Sequence, residues 1–167
     1  MAKISVDFLL GNGIASRAIA WFGFGADGFS HCAGVLADGR YLDARSDAIA
    51  GIPAGVHIRD PDTERSHRRE RWTLDVTPAE YAAWEANLRA KIGTPYSRSS
   101  IYGFITGRRV MVNGEWDCSA LQINALQHIK RVVYPLPFAA HQISPNVVRV
   151  LMAQIGAIRE FSYVDWT

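Results

Sequence analysis

The chain has 167 residues, 49% of them hydrophobic and 20% charged, which suits one globular domain over 1–167 with a single sizeable core rather than a disordered chain. Its net charge of +2 gives no ground for nucleic acid or an anionic membrane as a partner, and no apolar run approaches the length of a membrane span. Two cysteines do not make a disulfide framework, and no Cys/His spacing suggests zinc, so neither a metal nor an organic cofactor is expected.

In chain order, "MAKISVDFLLGNG" carries one lysine, and Asp7 breaks its apolar run. It reads as a strand over 3–10 and not as a secretion signal, which makes a cytoplasmic location the default; export by a route without a standard signal leaves no trace in a sequence. A short helix is expected over 14–22, with Ile14, Ala18, Ile19, Trp21 and Phe22 apolar, and a glycine-rich loop over 23–30. "HCAGVLA" (31–37) reads as a strand, "DG" as a turn and "RYLDAR" (40–45) as the return strand. A further strand is expected at 55–60. The basic run Arg65, Arg68, Arg69 and Arg71, interleaved with Glu64 and Glu70, reads as a solvated loop and strand edge. Trp72, Leu74 and Val76 alternate, the period of a half-buried strand over 69–76.

"TPAEYAAWEANLRAKIG" (77–93) is a helix with Thr77 as N-cap, Pro78 in the first position, Glu80 completing a capping box and Gly93 closing it. Residues 94–114 are polar and glycine-containing, with a short helix at 98–106. A helix over 118–131, a loop at "YPLPF" (134–138), a helix opened by Ser144 and Pro145 and running to about 154, and a strand over 159–164 complete the chain. Strands first and main helices later predict α+β, with a largely antiparallel sheet packed against helices.

Chemistry centres on "EWDCSALQINALQHI" (115–129). Asp117 is a good N-cap, which puts Cys118 in the first turn, where free backbone N–H groups and the helix dipole favour thiolate over thiol. The same N–H groups can hold the oxyanion formed when a thiolate attacks a carbonyl. Position alone leaves open whether Cys118 is a nucleophile or a small core residue. Cys32, inside a strand, reads as core.

A nucleophilic cysteine needs an imidazole beside it and a polar group to orient that imidazole. His67 lies in the charged run, and His128 sits on the Cys118 helix about 15 Å along its axis, out of reach. His57 and His141 lie in loop-like contexts. His31 opens a strand, and Asp43 lies on the return strand. A two-residue Asp38-Gly39 turn would put His31 and Asp43 on opposite faces. A three-residue Ala37-Asp38-Gly39 loop would put them on one face, and it requires Gly39 in the left-handed conformation. A catalytic site thus demands the three-residue loop. It also demands that sulfur and ring lie within about 6 Å, the reach of a direct or water-bridged proton transfer.

"GTPY" (93–96) followed by "WDCSAL" (116–121) resembles the cysteine half of NlpC/P60 peptidases, and "SHCAGVLADGRYLDA" (30–44) resembles their histidine half. The histidine half leads here, an order similar to the circularly permuted papain-like amidases of the YiiX/YebB-like branch, relatives of the lecithin–retinol acyltransferase group. "QISPNVVRVL" is similar to a segment that closes such domains. The usual glycines after P-Y are missing, 97–115 is inserted before the cysteine, Asp43 stands for the usual His or Glu, and Ala120 for the usual glycine or glutamate.

The resemblance implies a permuted papain-like fold and a cysteine amidase or peptidase. Cys118 would be the nucleophile, His31 the base and then acid, and Asp43 the orienter, with Tyr96 near the oxyanion. The substrate would be a cell-wall peptide or another small peptide or amide, with no cofactor. Two alternatives stay open. One is a thioester-forming lipid acyltransferase or esterase, for which "AWFGFGADGF" (20–29) could supply an apolar cleft; the other is an inactive structural or assembly module.

Overall fold

Six strands, laid out in the order β4-β3-β2-β1-β5-β6 with every neighbouring pair antiparallel, form the sheet. The computed structural model describes residues 1–11, 28–63, 66–99, 114–133 and 143–164. The strands are β1 (Ala2–Gly11), β2 (His31–Val35), β3 (Tyr41–Arg45), β4 (Gly55–Arg59), β5 (Ser66–Val76) and β6 (Ile158–Val164). Three α-helices lie among the described residues: α1 (Pro78–Arg89), α2 (Cys118–His128) and α3 (Pro145–Gln154). This is the α+β class with an antiparallel sheet. The expected helix at 14–22, the loop at 134–138 and His141 lie outside the described residues, as do most of 23–30 and 98–106.

Alternation along the strands sets the core. Ile4, Val6 and Phe8 of β1, Cys32 of β2, Leu42 and Ala44 of β3 and Leu74 and Val76 of β5 point to one face. There they pack with Trp84 and Leu88 of α1, Leu121 and Leu126 of α2, and Val148 and Met152 of α3. Leu9, Ala33, Val35 and Tyr41 form a smaller cluster on the opposite face. No helix among the described residues is long and apolar enough to cross a membrane.

The helix starts follow the sequence. Thr77 accepts the Glu80 backbone N–H at 3.2 Å, while the Glu80 carboxylate accepts the Thr77 N–H at 2.8 Å, the reciprocal capping box. Ser144 caps α3 ahead of Pro145. The α2 helix ends at His128, short of the expected 131.

Glu64 and Arg65 lie outside the described residues, and the rest of the arginine run is not the solvated edge its composition suggests. β5 lies between β1 and β6, and its arginines neutralise buried carboxylates. Arg69 and Arg71 donate to Asp7 from Nε at 2.8 and 2.6 Å, and Tyr41 donates to the same carboxylate. Arg68 donates to buried Glu70 at 2.6 Å. Half-buried His67 on the same strand is likewise not in open solvent. A buried carboxylate persists only with such partners, and Asp7 sits too far back in the chain for local patterning to reveal the match.

Candidate active site

The β2–β3 connection is the three-residue loop. Leu36 N–H donates to Arg40 O at 2.8 Å, Gly39 N–H donates to Leu36 O at 2.9 Å, and Gly39 has φ of 85°. Gly34 pairs with Leu42 and Val35 with Tyr41, so His31 and Asp43 share a face. His31 Nε2 hydrogen-bonds Asp43 Oδ2 at 2.8 Å.

The ladder between β2 and β3 then stops. Leu36 N–H donates to Arg40 O, and the hydrogen-bonded pairs that follow in register are Gly34 with Leu42 and Cys32 with Ala44. The Cys32–Ala44 pair does not form. The backbone N–H of Cys32 is instead near enough to the sulfur of Cys118 to favour its thiolate. The tip of α2 lies beside this break in the ladder, where a helix on one face comes near side chains on a strand edge. The Cys118 sulfur also lies beside the His31 ring, close enough for each to shift the other's ionisation. With Nε2 on Asp43, the nitrogen left for Cys118 is Nδ1.

Three features fix that tip. Asp117, with extended backbone, accepts the Ala120 N–H at 2.8 Å and starts the helix so that Cys118 is its first residue. Gln122 donates from Nε2 to Leu42 O at 3.1 Å, tying α2 to β3. Gly34 lets both helices lie close, since a Cβ there would stand 3.0 Å from Gln122 Oε1 of α2 and 3.0 Å from Trp84 Cζ2 of α1. The "GTPY" segment holds the approach strand: Gly93 N–H donates to Val56 O, Val56 N–H to Thr94 O, Trp116 N–H to Pro95 O and Ser97 N–H to Trp116 O. This sets half-buried Tyr96 beside Trp116, two residues before Cys118.

The charges alternate. Cys118 is held well below the ordinary thiol value by the Cys32 S–H it accepts and by the His31 charge, against burial. Burial pushes His31 down, but the Cys118 charge and the Asp43 hydrogen bond outweigh it and raise the ring to about 10. Asp43, fully buried, is pushed up by burial and held down more strongly by His31 and Arg59. Arg59, 1% exposed, donates from Nη1 to Asp43 Oδ1, and from Nη2 to Pro53 O at 3.0 Å and Gly55 O at 3.3 Å. Thiolate, imidazolium, carboxylate and guanidinium thus form a row of neutralising neighbours, the condition under which charges survive burial. Burial, then the negative charges of Cys118 and Asp117, raise Tyr96 well above the ordinary phenol value, so its hydroxyl remains a donor.

The four residues singled out in the sequence lie near one another: His31 hydrogen-bonds Asp43, and His31 and Tyr96 both lie close enough to feel the Cys118 charge. Two participants were not foreseen. Arg59 ends a strand whose register against β3 depends on the intervening 46–54 loop, so counting could not align it with Asp43. Cys32 is a core residue, as its strand position implies, but its sulfur and that of Cys118 lie against the same Ser119 hydroxyl. His57 pairs with Asp43 across the β3–β4 ladder, yet the Asp43 oxygens are taken by His31 and Arg59. His128 closes α2 at the end far from Cys118. No group of three or more His, Cys, Asp or Glu suited to a metal occurs among the described residues. No protein-family model and no curated protein matches the chain.

Proposed function

We propose that the protein is a cysteine hydrolase, an amidase or peptidase of permuted papain-like type, acting on a peptide or other small amide. The observation that carries this reading is the hydrogen bond of the His31 ring to the buried Asp43 carboxylate at 2.8 Å, with Cys118 at a helix N-terminus close enough to hold the ring charged. The thiolate attacks the amide carbonyl, and the carbonyl oxygen becomes an oxyanion that the free N–H groups of the first turn of α2 and the Tyr96 hydroxyl are suited to receive. The His31 imidazolium then gives its proton to the leaving amine as the C–N bond breaks, which leaves a thioester on Cys118. Neutral His31 takes a proton from water, the hydroxide adds to the thioester, and the carboxylic acid leaves as the thiolate re-forms. Asp43 keeps the ring in one orientation throughout and balances its charge, and Arg59 keeps Asp43 ionised.

Incubation with peptide amides such as cell-wall muropeptides, followed by intact-mass measurement, tests the reading. An acyl adduct on Cys118 and turnover that Cys118→Ala abolishes are the expected results. Adducts formed from phospholipid acyl chains and not from amides would replace the amidase with an acyltransferase. No adduct from either, with a Cys118→Ala variant that unfolds, would leave Cys118 a packing residue.

A further inference from the structure

Cys32 does more than fill the core. Its sulfur and that of Cys118 both lie against the Ser119 hydroxyl, at 4.0 and 3.8 Å, near enough for each to shift the other's ionisation. Neither is in a disulfide, and both are buried, Cys32 at 0% and Cys118 at 5% exposure. One thiol on a strand and one at a helix tip are therefore held face to face. The exposed side of the pair is that of Cys118 and of the His31 ring, which is 13% exposed.

We propose that Cys32 is a resolving cysteine and that a hydroperoxide converts the pair into a reversible Cys32–Cys118 disulfide. In the first step the Cys118 thiolate attacks one oxygen of hydrogen peroxide. An S–O bond forms, the O–O bond breaks, and the departing hydroxide takes the His31 proton and leaves as water. Cys118 is then a sulfenic acid, oxidised by two electrons. In the second step the Cys32 sulfur attacks the Cys118 sulfur. The S–S bond forms, the S–O bond breaks, and the hydroxide leaves with the Cys32 proton as a second water. The sum is two thiols and one peroxide giving one disulfide and two waters.

Both ingredients of a redox-sensing thiol are present, a stabilised thiolate and a second thiol poised beside it. Burial keeps Cys32 a thiol with a pKa raised well above the ordinary value, so the oxidant reacts at Cys118 first. The disulfide removes the lone thiolate from His31, which stops turnover. It also diverts the sulfenic acid from irreversible sulfinic and sulfonic acids. The loss of turnover rests on the hydrolase reading; disulfide formation does not.

The test treats the full chain with hydrogen peroxide, then measures intact mass and free thiols in denaturant without reductant. The expected product is monomeric, lacks both thiols, is lighter by two hydrogens, and yields a peptide linking Cys32 to Cys118. Dithiothreitol restores both thiols. Cys32→Ala instead gains two or three oxygens at Cys118 that dithiothreitol does not remove. Wild-type protein that takes up oxygen like Cys32→Ala, or that keeps both thiols, overturns the proposal. The wild-type measurement decides it even if Cys32→Ala does not fold. A disulfide that forms in a protein without amidase turnover removes the hydrolase reading alone, and turnover without a disulfide removes the resolving cysteine alone.

Discussion

His31 and Asp43 hydrogen-bond at 2.8 Å because the loop between their strands holds three residues and not two. Everything downstream depends on that parity, and Gly39 secures it with φ of 85°. Open space surrounds the position where its Cβ would be, so a substitution meets only the backbone cost. Gly39→Ala is expected to lose about 1–2 kcal/mol in urea unfolding, and Gly39→Asn clearly less, since asparagine tolerates the left-handed region. Equal stability of Gly39→Ala and wild type would mean the loop has another conformation.

The shifts at Cys118 and His31 predict a broad pH plateau. Cys118 is depressed, so thiolate is lost only as pH falls through a value well below the ordinary thiol range. His31 is raised to about 10, so its imidazolium, needed by the leaving amine, is lost as pH rises through that value. Turnover is expected to be flat across neutrality, falling at low pH and again near 10. Iodoacetamide alkylation isolates the acid limb. Its half-point is expected to sit well below the free-thiol value of about 8.5, and to return to it or above in His31→Ala. An unmoved half-point in that variant would remove the ion pair.

Asp43 lies between two cations, so its two substitution partners behave differently. Asp43→Asn removes the charge that balances the imidazolium, and turnover is expected to fall on the order of 10³–10⁴-fold. The same change leaves the buried Arg59 guanidinium without a counter-charge, which costs about 3–5 kcal/mol. Arg59→Met costs a similar amount by exposing the other half of the pair. The double variant Asp43→Asn/Arg59→Met should therefore lose less stability than the two singles added together. Additive losses in denaturant titrations would show that the pair is not coupled.

Tyr96 receives a narrower test. Removal of one oxyanion donor costs about 10²–10³-fold in turnover with little effect on substrate binding. Tyr96→Phe is expected to show that pattern, a lower kcat at unchanged KM, together with unaltered thiol alkylation because the Cys118–His31 pair is left intact. A rise in KM alone would make Tyr96 a wall of the substrate cleft instead.

Local chemistry in this chain was readable, and distant pairing was not. The "DG" turn, the Asp117 and Thr77 caps and the period-2 strands each depend on residues a few positions apart, and each formed as expected. His31, Asp43 and Cys118 could be selected because the spacing of the first two and the helix position of the third carry their own physical reasons. Arg59 could not, because the loop ahead of β4 hides its register. The basic run was misread for a related reason: Arg69 and Arg71 look solvated until β1 is placed beside β5 and brings Asp7 between them. The contact of Cys32 with Cys118 needs the interrupted β2–β3 ladder, a tertiary event that strand periodicity does not encode.

Gly34 tests whether the depth of α2 on the sheet controls the sulfur. An alanine Cβ would stand 3.0 Å from Gln122 Oε1 and Trp84 Cζ2, and 3.2 Å from Leu88 Cδ1, all tighter than ordinary contact. Gln122 is fully buried and anchored to Leu42 O, and Trp84 is fully buried, so neither has free space to retreat into. Overpacking of this kind costs about 1–3 kcal/mol; Trp84 and Leu88 pass part of the strain to α1, and the clash with Gln122 is relieved by moving α2 away from β2 and β3. Cys118 rides at the tip of that helix, so the same movement draws its sulfur from the Cys32 N–H and the His31 ring. Gly34→Ala is therefore expected to shift the alkylation half-point toward the free-thiol value and to lower turnover in protein that remains folded by circular dichroism. A variant that loses stability yet keeps the wild-type half-point would show that the sulfur is held from the strand side, by Cys32 and His31, whatever the seating of the helix.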